Sequence, residues 1–308
     1  MLGENRWPYD VRAICEDNQG NLWLGTSGGG LAQLRLQSVH FLRGAPGLPD
    51  NPVTALAFGG DGKICLGLQR GGLFAGESGR FDAVGGNGLS AQNFVTSVCL
   101  APDGTIWAGT LGDGLYGLRN GREIHLTTAD GLADDTVLAT CVDKKGDVWA
   151  STGAGTVHCF DGNHLVRFDA ANGLPGAPVT AMIPATAGGI WLGTQDGQIL
   201  REQNGKFISI PAAENFGERA VLALFENGRG QLWIGSDGGG LTCLTNGVGI
   251  NWNTSRELPG NVVSAVIEDG AKNLWLATDT GIYRVNHADV RRSLENAHVP
   301  LAFQLMSE

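Results

Sequence analysis

A column of residues that recurs every 42 positions carries most of the side chains with which this 308-residue chain could bind a ligand. Each member stands two residues before a valine that opens an apolar segment. The apolar segments are nearly identical, whereas the column is mostly polar and varies. Because an asymmetric ligand requires different side chains around it, this column is the first candidate binding surface. Its members are Tyr9, Asn51, Asn93, Asp135, Ala177, Arg219 and Asn261.

Two members of the column are poorly explained by turn formation alone. An aromatic face such as that of Tyr9 and a guanidinium such as that of Arg219 suit a sugar or a carboxylate better than a turn. Asparagine at Asn51 and Asn261 is also a common turn-former, so a purely structural role stays open for these two residues.

A second set of polar residues, four aspartates, follows the second strand-like segment of a repeat. Their roles are either turn capping or contact with a ligand or cation. The turns that hold them lie on the same face of the predicted fold as the column. We therefore hypothesise one polar pocket, lined by Tyr9, Asn93, Asp135 and Arg219, with Asp237 and Asp279 at its rim. The four aspartates are Asp113, Asp196, Asp237 and Asp279.

Catalytic and metal-binding chemistry finds little support in the sequence. The six histidines fall in third-strand, outer-strand or linker positions, and none falls where the repeats converge. A histidine-based active site or metal centre needs several such groups in one place. The sequence therefore predicts no catalytic residue, no metal and no cofactor. The histidines are His40, His125, His158, His164, His287 and His298.

The elements that must position these residues are seven copies of one repeat. The first copy reads VRAICEDNQGNLWLGTSGGGLAQL (11–34), and each contains three short strands separated by turns, with a fourth strand following more loosely. Four short strands in 42 residues are typical of a β-propeller blade, and closing the ring covers every sheet without capping repeats. An open solenoid is the alternative. The prediction is an all-β, seven-bladed propeller of four-stranded antiparallel blades, with repeats starting at 11, 53, 95, 137, 179, 221 and 263.

Tryptophan marks the second strand in six copies, and Cys65 replaces it in the second copy. Apolar residues flank these tryptophans on both sides, so we interpret them as packing between blades. The six cysteines show no CxxC spacing, and three of them occupy a position where other copies have large apolar residues. They are therefore interpreted as small buried hydrophobic residues rather than disulfide partners. The tryptophans are Trp23, Trp107, Trp149, Trp191, Trp233 and Trp275.

The segment after the seventh copy breaks the pattern. Residues 287–300 predict a short helix, and residues 301–305 predict the outer strand of the last blade. About ten residues precede the first copy, so we expect no N-terminal strand in blade seven. The expected organisation is a single propeller domain over residues 1–308. The first ten residues lack the features of a signal peptide, and we expect the chain to be a segment of a longer protein.

The net charge of −10 argues against two classes of partner. An acidic chain without a basic run is a poor ligand for phosphate backbones and for anionic membranes. No apolar stretch is long enough to span a bilayer. We therefore expect neither nucleic acid binding nor direct membrane contact.

The amino-acid sequence of the repeat resembles that of the two-component regulator propeller repeat. The fullest forms are EDNQGNLWLGTSGGGL (16–31), ENGRGQLWIGSDGGGL (226–241) and PDGTIWAGTLGDGL (102–115). The resemblance covers residues 11–286. It implies the extracytoplasmic, and in this case periplasmic, sensor of a hybrid histidine kinase. Family members with known ligands tend to sense carbohydrate fragments, which implies a small-molecule or oligosaccharide ligand. In a parent chain, a second propeller, an immunoglobulin-like domain and a kinase would be partners.

Two further functions stay open beside the sensor. Streptogramin lyases have seven blades and a similar repeat, although this chain has LGT where their repeat has a phenylalanine-threonine-glutamate run. A propeller can also serve only as a scaffold for protein–protein interaction, which a large apolar patch would mark. The family shares no catalytic set, so the resemblance assigns no catalytic residue.

Overall fold

The computed structural model describes residues 9–35, 38–42, 45–59, 62–77, 80–85, 88–90, 92–211, 217–296 and 299–306. Within these ranges the chain forms seven four-stranded antiparallel sheets, each made of four consecutive strands. The valine-led segments become the first strand of every sheet because β-branched residues favour an extended backbone. First strands of successive sheets are neighbours, and the seventh is again a neighbour of the first. The predicted seven-bladed β-propeller is confirmed.

The strands follow the 42-residue repeat closely, and the first strand of every blade begins at the predicted start of its repeat. The first three blades comprise β1 (Val11–Glu16), β2 (Leu22–Thr26), β3 (Gly30–Arg35), β4 (Ser38–Phe41), β5 (Val53–Phe58), β6 (Ile64–Leu68), β7 (Leu73–Glu77), β8 (Arg80–Val84), β9 (Val95–Leu100), β10 (Ile106–Thr110), β11 (Leu115–Arg119) and β12 (Arg122–Leu126). Blades four and five comprise β13 (Val137–Val142), β14 (Val148–Thr152), β15 (Val157–Phe160), β16 (Leu165–Phe168), β17 (Val179–Pro184), β18 (Ile190–Thr194), β19 (Ile199–Gln203) and β20 (Lys206–Ser209). The last two blades comprise β21 (Val221–Glu226), β22 (Leu232–Ser236), β23 (Gly240–Thr245), β24 (Val248–Trp252), β25 (Val263–Glu268), β26 (Leu274–Thr278), β27 (Gly281–Val285) and β28 (Gln304–Leu305).

Blade seven is completed from the C-terminal side of the chain. Helix α1 (His287–Glu295) follows β27, and β28 then pairs with β27 as the outer strand. The predicted helix and closing strand therefore both form, and among the described residues, which begin at 9, no N-terminal strand enters this sheet. Two side-chain bonds join blade seven to blade one: Ser264 Oγ donates to the Val11 carbonyl at 2.8 Å, and the Gly270 N–H donates to Glu16 Oε1 at 2.8 Å.

Each first strand contains a register shift directly after its valine. The extra residue of such a bulge has no cross-strand partner, and its side chain is re-aimed. All seven of these residues line the axial channel, a cavity of about 290 Å³. They are Arg12, Thr54, Thr96, Leu138, Thr180, Leu222 and Ser264.

The hydroxyl groups among these bulge residues connect neighbouring blades. Thr54 Oγ1 donates to the Val95 carbonyl at 2.5 Å, and Thr180 Oγ1 donates to the Val221 carbonyl at 2.6 Å. Where blade four has Leu138 at this position, Ser151 Oγ donates to the Val179 carbonyl at 2.9 Å instead. In each case the acceptor is the carbonyl of the opening valine of the next blade, so these bonds join neighbouring blades.

A glycine in the second strand allows the blades to approach each other. A Cβ atom added at Gly67 would lie 2.5 Å from Cγ1 of Val95 in the next blade. The repeat therefore has a small residue, most often the glycine of the LGT sequence, where the second strand meets the opening valine of the next blade.

The repeat tryptophans pack between blades, as the sequence indicates. Five of the six are at most 6% exposed, and Trp191 is half-buried. Trp233 lies in one cluster with Val263, Val266 and Leu274 of the following blade. Most of the apolar core therefore lies between sheets rather than around a single centre.

An aspartate six residues before the tryptophan determines whether the indole N–H has a partner. Asp17 accepts it from Trp23 at 2.8 Å, and corresponding bonds of 3.1 and 2.7 Å are present in blades four and seven. In blades five and six, where Ala185 and Asn227 occupy the position, the indole nitrogens have no hydrogen-bond partner among the described residues. The aspartate of the ED-x-x-G-x-LW motif thus joins its turn to the buried tryptophan by a hydrogen bond.

The six cysteines are free thiols. Burial raises the pKa of Cys15 and of Cys99 to about 12, so these groups remain protonated and unreactive. Cys65, Cys141 and Cys243 are buried, as interpreted from the sequence, whereas Cys15, Cys99 and Cys159 are partly buried. Among the described residues, no helix has the length and apolar character required to cross a bilayer.

Candidate functional site

The linkers between blades and the turns between second and third strands meet on one face of the ring, which we call the linker face. In every blade the first residue of the turn donates its N–H to the carbonyl of the residue before the opening valine, at 2.8 to 3.2 Å. The predicted proximity of linker and turn is therefore present. The seven donor–acceptor pairs are Ser27–Asp10, Gln69–Pro52, Leu111–Phe94, Gly153–Thr136, Gln195–Pro178, Asp237–Ala220 and Asp279–Val262.

Asn93 is occupied by contacts within its own blade. Its Oδ1 accepts from the Ser90 N–H at 2.7 Å, and its Nδ2 donates to Asp113 Oδ2 at 2.5 Å. Asp113 also accepts from the Tyr116 hydroxyl at 2.7 Å. Burial, followed by this bond, raises the pKa of Tyr116. The side chain of Asn93 is therefore part of a fixed network that holds the linker against the turn.

Asp135 and Asn261 hold the linkers in a second way. Residues 128–130 and 254–256 each form one turn of 3-10 helix directly after an outer strand. Asp135 Oδ1 accepts from the first N–H of the former turn, on Thr128, at 2.7 Å, and Asn261 Oδ1 accepts from the N–H of Thr254 at 2.9 Å. The turn-stabilising role considered for Asn261 is present, and it extends to Asp135.

Asp196 has the same kind of local role. It accepts from Thr194 Oγ1 at 2.5 Å and from Gln198 Nε2 at 3.0 Å, both within its own turn. Of the remaining pocket candidates, Arg219, Asp237 and Asp279 are exposed, whereas Tyr9 is half-buried.

These four residues come from three consecutive blades, the sixth, the seventh and the first. The guanidinium of Arg219 lies over Gly238, where an added Cβ would be 3.2 Å from Nη1. The ring of Tyr9 lies over Gly28, with 3.0 Å between an added Cβ and Cδ1. The Asp279 carboxylate lies against Gly260. Glycine in the turn or linker thus leaves room for each side chain on the linker face.

The structure therefore divides the predicted pocket into two parts. Asn93 and Asp135 are held in linker networks, in blade three and in the linker between blades three and four. Tyr9, Arg219, Asp237 and Asp279 present an aromatic ring, a cation and two carboxylates on blades six, seven and one. Sequence spacing alone could not separate the parts, because it shows which residues share a face but not which partners they have.

The axial channel carries little charge. Of the described residues that line it, Arg12 alone is charged, and its Nη2 lies 3.4 Å from Asp10 Oδ2. The bulge that aims Arg12 at the channel was missed by sequence reasoning, since the alternation of the first strand gives no sign of an unpaired residue. Asp10 is exposed beside Tyr9 in the chain, so it adds a further carboxylate to the first-blade part of the linker face.

The histidines whose side chains are described lie away from the axial channel. His125 stacks on Tyr116 with 4.1 Å between ring centroids, and its Nε2 lies 2.8 Å from the Asp113 carbonyl. His158 is buried in blade four, whereas His164 and His287 are exposed. The side chain of His40 and all of His298 lie outside the described residues. No group of histidine, cysteine and carboxylate side chains in the described ranges is arranged to hold a metal ion.

Comparison with known protein families agrees with the resemblance drawn from the repeat sequence. The sequence model of the two component regulator propeller matches residues 7–28, 88–112 and 257–280, which confirms the resemblance. A comparison with curated proteins gives no match.

Solved structures with the same fold include two extracellular domains of two component systems and an enzyme. The extracellular domain of the hybrid two component system BT3049 from B. thetaiotaomicron is 18% identical with a TM-score of 0.76, covering 95% of this chain and 41% of that chain. The corresponding domain of BT4673 from the same organism is 20% identical with a TM-score of 0.74, covering 92% and 38%. This chain thus spans about two fifths of either domain. Virginiamycin B lyase from Staphylococcus aureus is 14% identical with a TM-score of 0.70, covering 91% and 94%.

Proposed function

We propose that this propeller is the sensor portion of a two-component signalling protein and binds its ligand without chemical turnover. The observation that carries the proposal is the match of three separate repeats to the two component regulator propeller. The shared fold with two extracellular sensor domains supports it. An extracytoplasmic, periplasmic location follows from the same proposal, as does a parent chain that supplies a second propeller, an immunoglobulin-like domain and a kinase.

The ligand site belongs, in this proposal, to the linker face at blades six, seven and one. Its support is the exposure of Arg219, Asp237 and Asp279 on the face that also carries Tyr9, in contrast to Asn93 and Asp135, whose polar atoms are already bonded. A binding group must exchange water for ligand, and an exposed carboxylate or guanidinium is already in contact with that water.

A carbohydrate fragment is the ligand class that suits these groups. A sugar offers hydroxyl groups to carboxylates and to a guanidinium, and an apolar ring face to an aromatic side chain. An acidic sugar would in addition pair with Arg219.

The test is a thermal-shift screen of the purified chain against neutral and acidic di- to hexasaccharides. The proposal predicts that at least one of them raises the melting temperature saturably and is recovered chemically unchanged. Saturable binding followed by cleavage of the sugar would contradict the non-catalytic part. A screen in which no oligosaccharide binds would contradict the carbohydrate part.

The lyase alternative rests on one observation, the fold shared with virginiamycin B lyase over almost the full length of that enzyme. At 14% identity this shows the fold alone. The described histidines do not line the channel, and the family match belongs to the sensor repeat. We therefore rank the lyase function behind the sensor function.

A further inference from the structure

The seven bulge residues form the mouth of the axial channel on the linker face, because every first strand begins at this face. The polarity of the mouth differs between its two sides. Four consecutive blades supply a charged group and three hydroxyl groups, which we call the polar arc, and the three blades opposite supply the mostly apolar arc. The polar arc is Ser264, Arg12, Thr54 and Thr96 of blades seven, one, two and three, and the apolar arc is Leu138, Thr180 and Leu222 of blades four, five and six.

The hydroxyl groups of the mouth can only accept further hydrogen bonds. Thr54, Thr180 and Ser264 donate their single hydroxyl proton to the carbonyl of an opening valine, as described above. Thr96 Oγ1 does the same to the Val137 carbonyl at 2.5 Å. A hydroxyl oxygen whose proton is used in this way retains a lone pair. The mouth therefore suits a ligand whose own hydroxyl groups act as donors.

Arg12 adds the one charge that the described residues give to this lining. Its side chain is 56% exposed, and that of its neighbour Asp10 is 71% exposed. An ion pair between two such exposed side chains contributes little, because water screens it. The guanidinium therefore keeps donors for an anion that enters the mouth, and its planar fork matches the two oxygens of a carboxylate.

The size of the channel limits the ligand to a small group. Its volume of about 290 Å³ lies at the lower end of the range of about 300–1,000 Å³ that is typical of ligand pockets. This volume suits one sugar ring rather than a chain of them. Such a ring has hydroxyl groups for the polar arc and an apolar face for Leu138 and Leu222.

We propose that the mouth of the axial channel binds the terminal residue of an acidic sugar, a polyhydroxy carboxylate, with its carboxylate on Arg12. Its hydroxyl groups donate to Thr54 and Thr96, and its apolar face lies against the apolar arc. The inference rests on the proposed function, because the mouth opens on the linker face. It deepens that function by naming an acidic sugar as the ligand and by assigning its acidic end to the channel.

Methyl β-glucuronide and methyl β-glucoside are the matched probes, because they differ only in carrying a carboxylate or a hydroxymethyl group. Acetate offers the charge without hydroxyl groups. Calorimetric titration of the purified chain measures all three. A ligand of the size of the glucuronide is expected to reach a dissociation constant of about 1 mM. The glucoside and acetate should each bind at least ~10-fold more weakly.

Arg12→Gln tests the charged contact at an exposed position, where the substitution leaves the packing between blades intact. It should weaken the glucuronide at least ~10-fold, with an unchanged melting temperature. Arg70→Gln is the matched control. Arg70 is exposed in the turn after the second strand of blade two, on the same face but outside the channel lining, so its removal should leave the glucuronide at wild-type affinity.

Three results would overturn the channel proposal. They are no binding of the glucuronide by the wild type at about 10 mM, wild-type affinity in Arg12→Gln, and equal weakening in Arg12→Gln and Arg70→Gln. Failure of the proposed function is distinguishable from these. Glucuronide binding through Arg12 without binding of any oligosaccharide would keep the channel site and contradict the larger site on blades six, seven and one. Oligosaccharide binding without glucuronide binding would overturn the channel site alone.

Discussion

At the scale of single residues, the same repeat position carries different side chains with different consequences. His158 occupies the position of Phe74 in blade two and of Leu200 in blade five, on the third strand of its blade. It is 1% exposed, and neither ring nitrogen has a hydrogen-bond partner among the described residues. Burial, assisted by the charge of Arg167, lowers the pKa of His158 from 6.5 to about 4.

This histidine makes the stability of the chain dependent on pH. Between pH 6.5 and about 4 the unfolded chain binds a proton at His158 that the folded chain does not bind, so stability falls as the pH falls. His158→Phe removes this loss, which is on the order of 3 kcal/mol for a shift of this size. Melting temperatures measured from pH 8 to pH 4.5 should therefore decline less steeply in His158→Phe than in the wild type.

The reciprocal change provides the control. Phe74→His places an imidazole at the equivalent position on the third strand of blade two, where the phenylalanine is 6% exposed. The melting temperature of this variant should fall more steeply with decreasing pH than that of the wild type. Parallel curves for the wild type and His158→Phe would show that the imidazole is hydrated in the folded state.

At the scale of the element, packing between sheets supplies most of the apolar core. Trp233 is fully buried and stacks on Trp252 with 5.7 Å between ring centroids. Trp233→Ala should therefore reduce the free energy of unfolding by about 3–5 kcal/mol, measured by chemical denaturation. Trp191 is half-buried, and Trp191→Ala should cost less than Trp233→Ala. Equal melting of Trp233→Ala and the wild type would contradict the packing role.

The strands could be predicted from the sequence because their signals are local. Valine, the alternation that follows it and the glycine-rich turns all lie within one 42-residue copy, and seven copies repeat them. The bulge after each valine left no such signal, because Thr54 and Leu138 occupy the same position although only the threonine bonds to the next blade. Arg12 was therefore not recognised as a channel residue.

The candidate site was predicted less completely than the fold. The position of the linker face followed from the topology of a propeller. The engagement of Asn93 by Asp113 and of Asp135 by Thr128 did not, since both depend on how each linker folds. Arg219 and Tyr9 were singled out by residue type, and the structure leaves both accessible at least in part.

At the scale of the whole molecule, blade seven meets blade one through packing of their first strands and through side-chain bonds. A closed ring of this size also occurs in a lyase, so the fold does not decide between binding and catalysis.

Incubation of the purified chain with a streptogramin B antibiotic, followed by mass spectrometry, addresses the enzymatic alternative. We expect no linearised product, because the histidines whose side chains are described lie away from the axial channel. Virginiamycin B lyase serves as the positive control. Multiple turnovers by the chain would place it with the lyases.

Calorimetric titration of Arg219→Ala with the oligosaccharide identified by the thermal-shift screen tests the central claim most directly. If blades six, seven and one hold the ligand, losing this charged contact should weaken binding ~10-fold or more, with the melting temperature nearly unchanged. Arg80→Ala, on the outer strand of blade two with a side chain 78% exposed, is the matched control and should retain wild-type affinity. Full affinity in both Arg219→Ala and Tyr9→Ala would contradict the account and place the ligand elsewhere on the propeller.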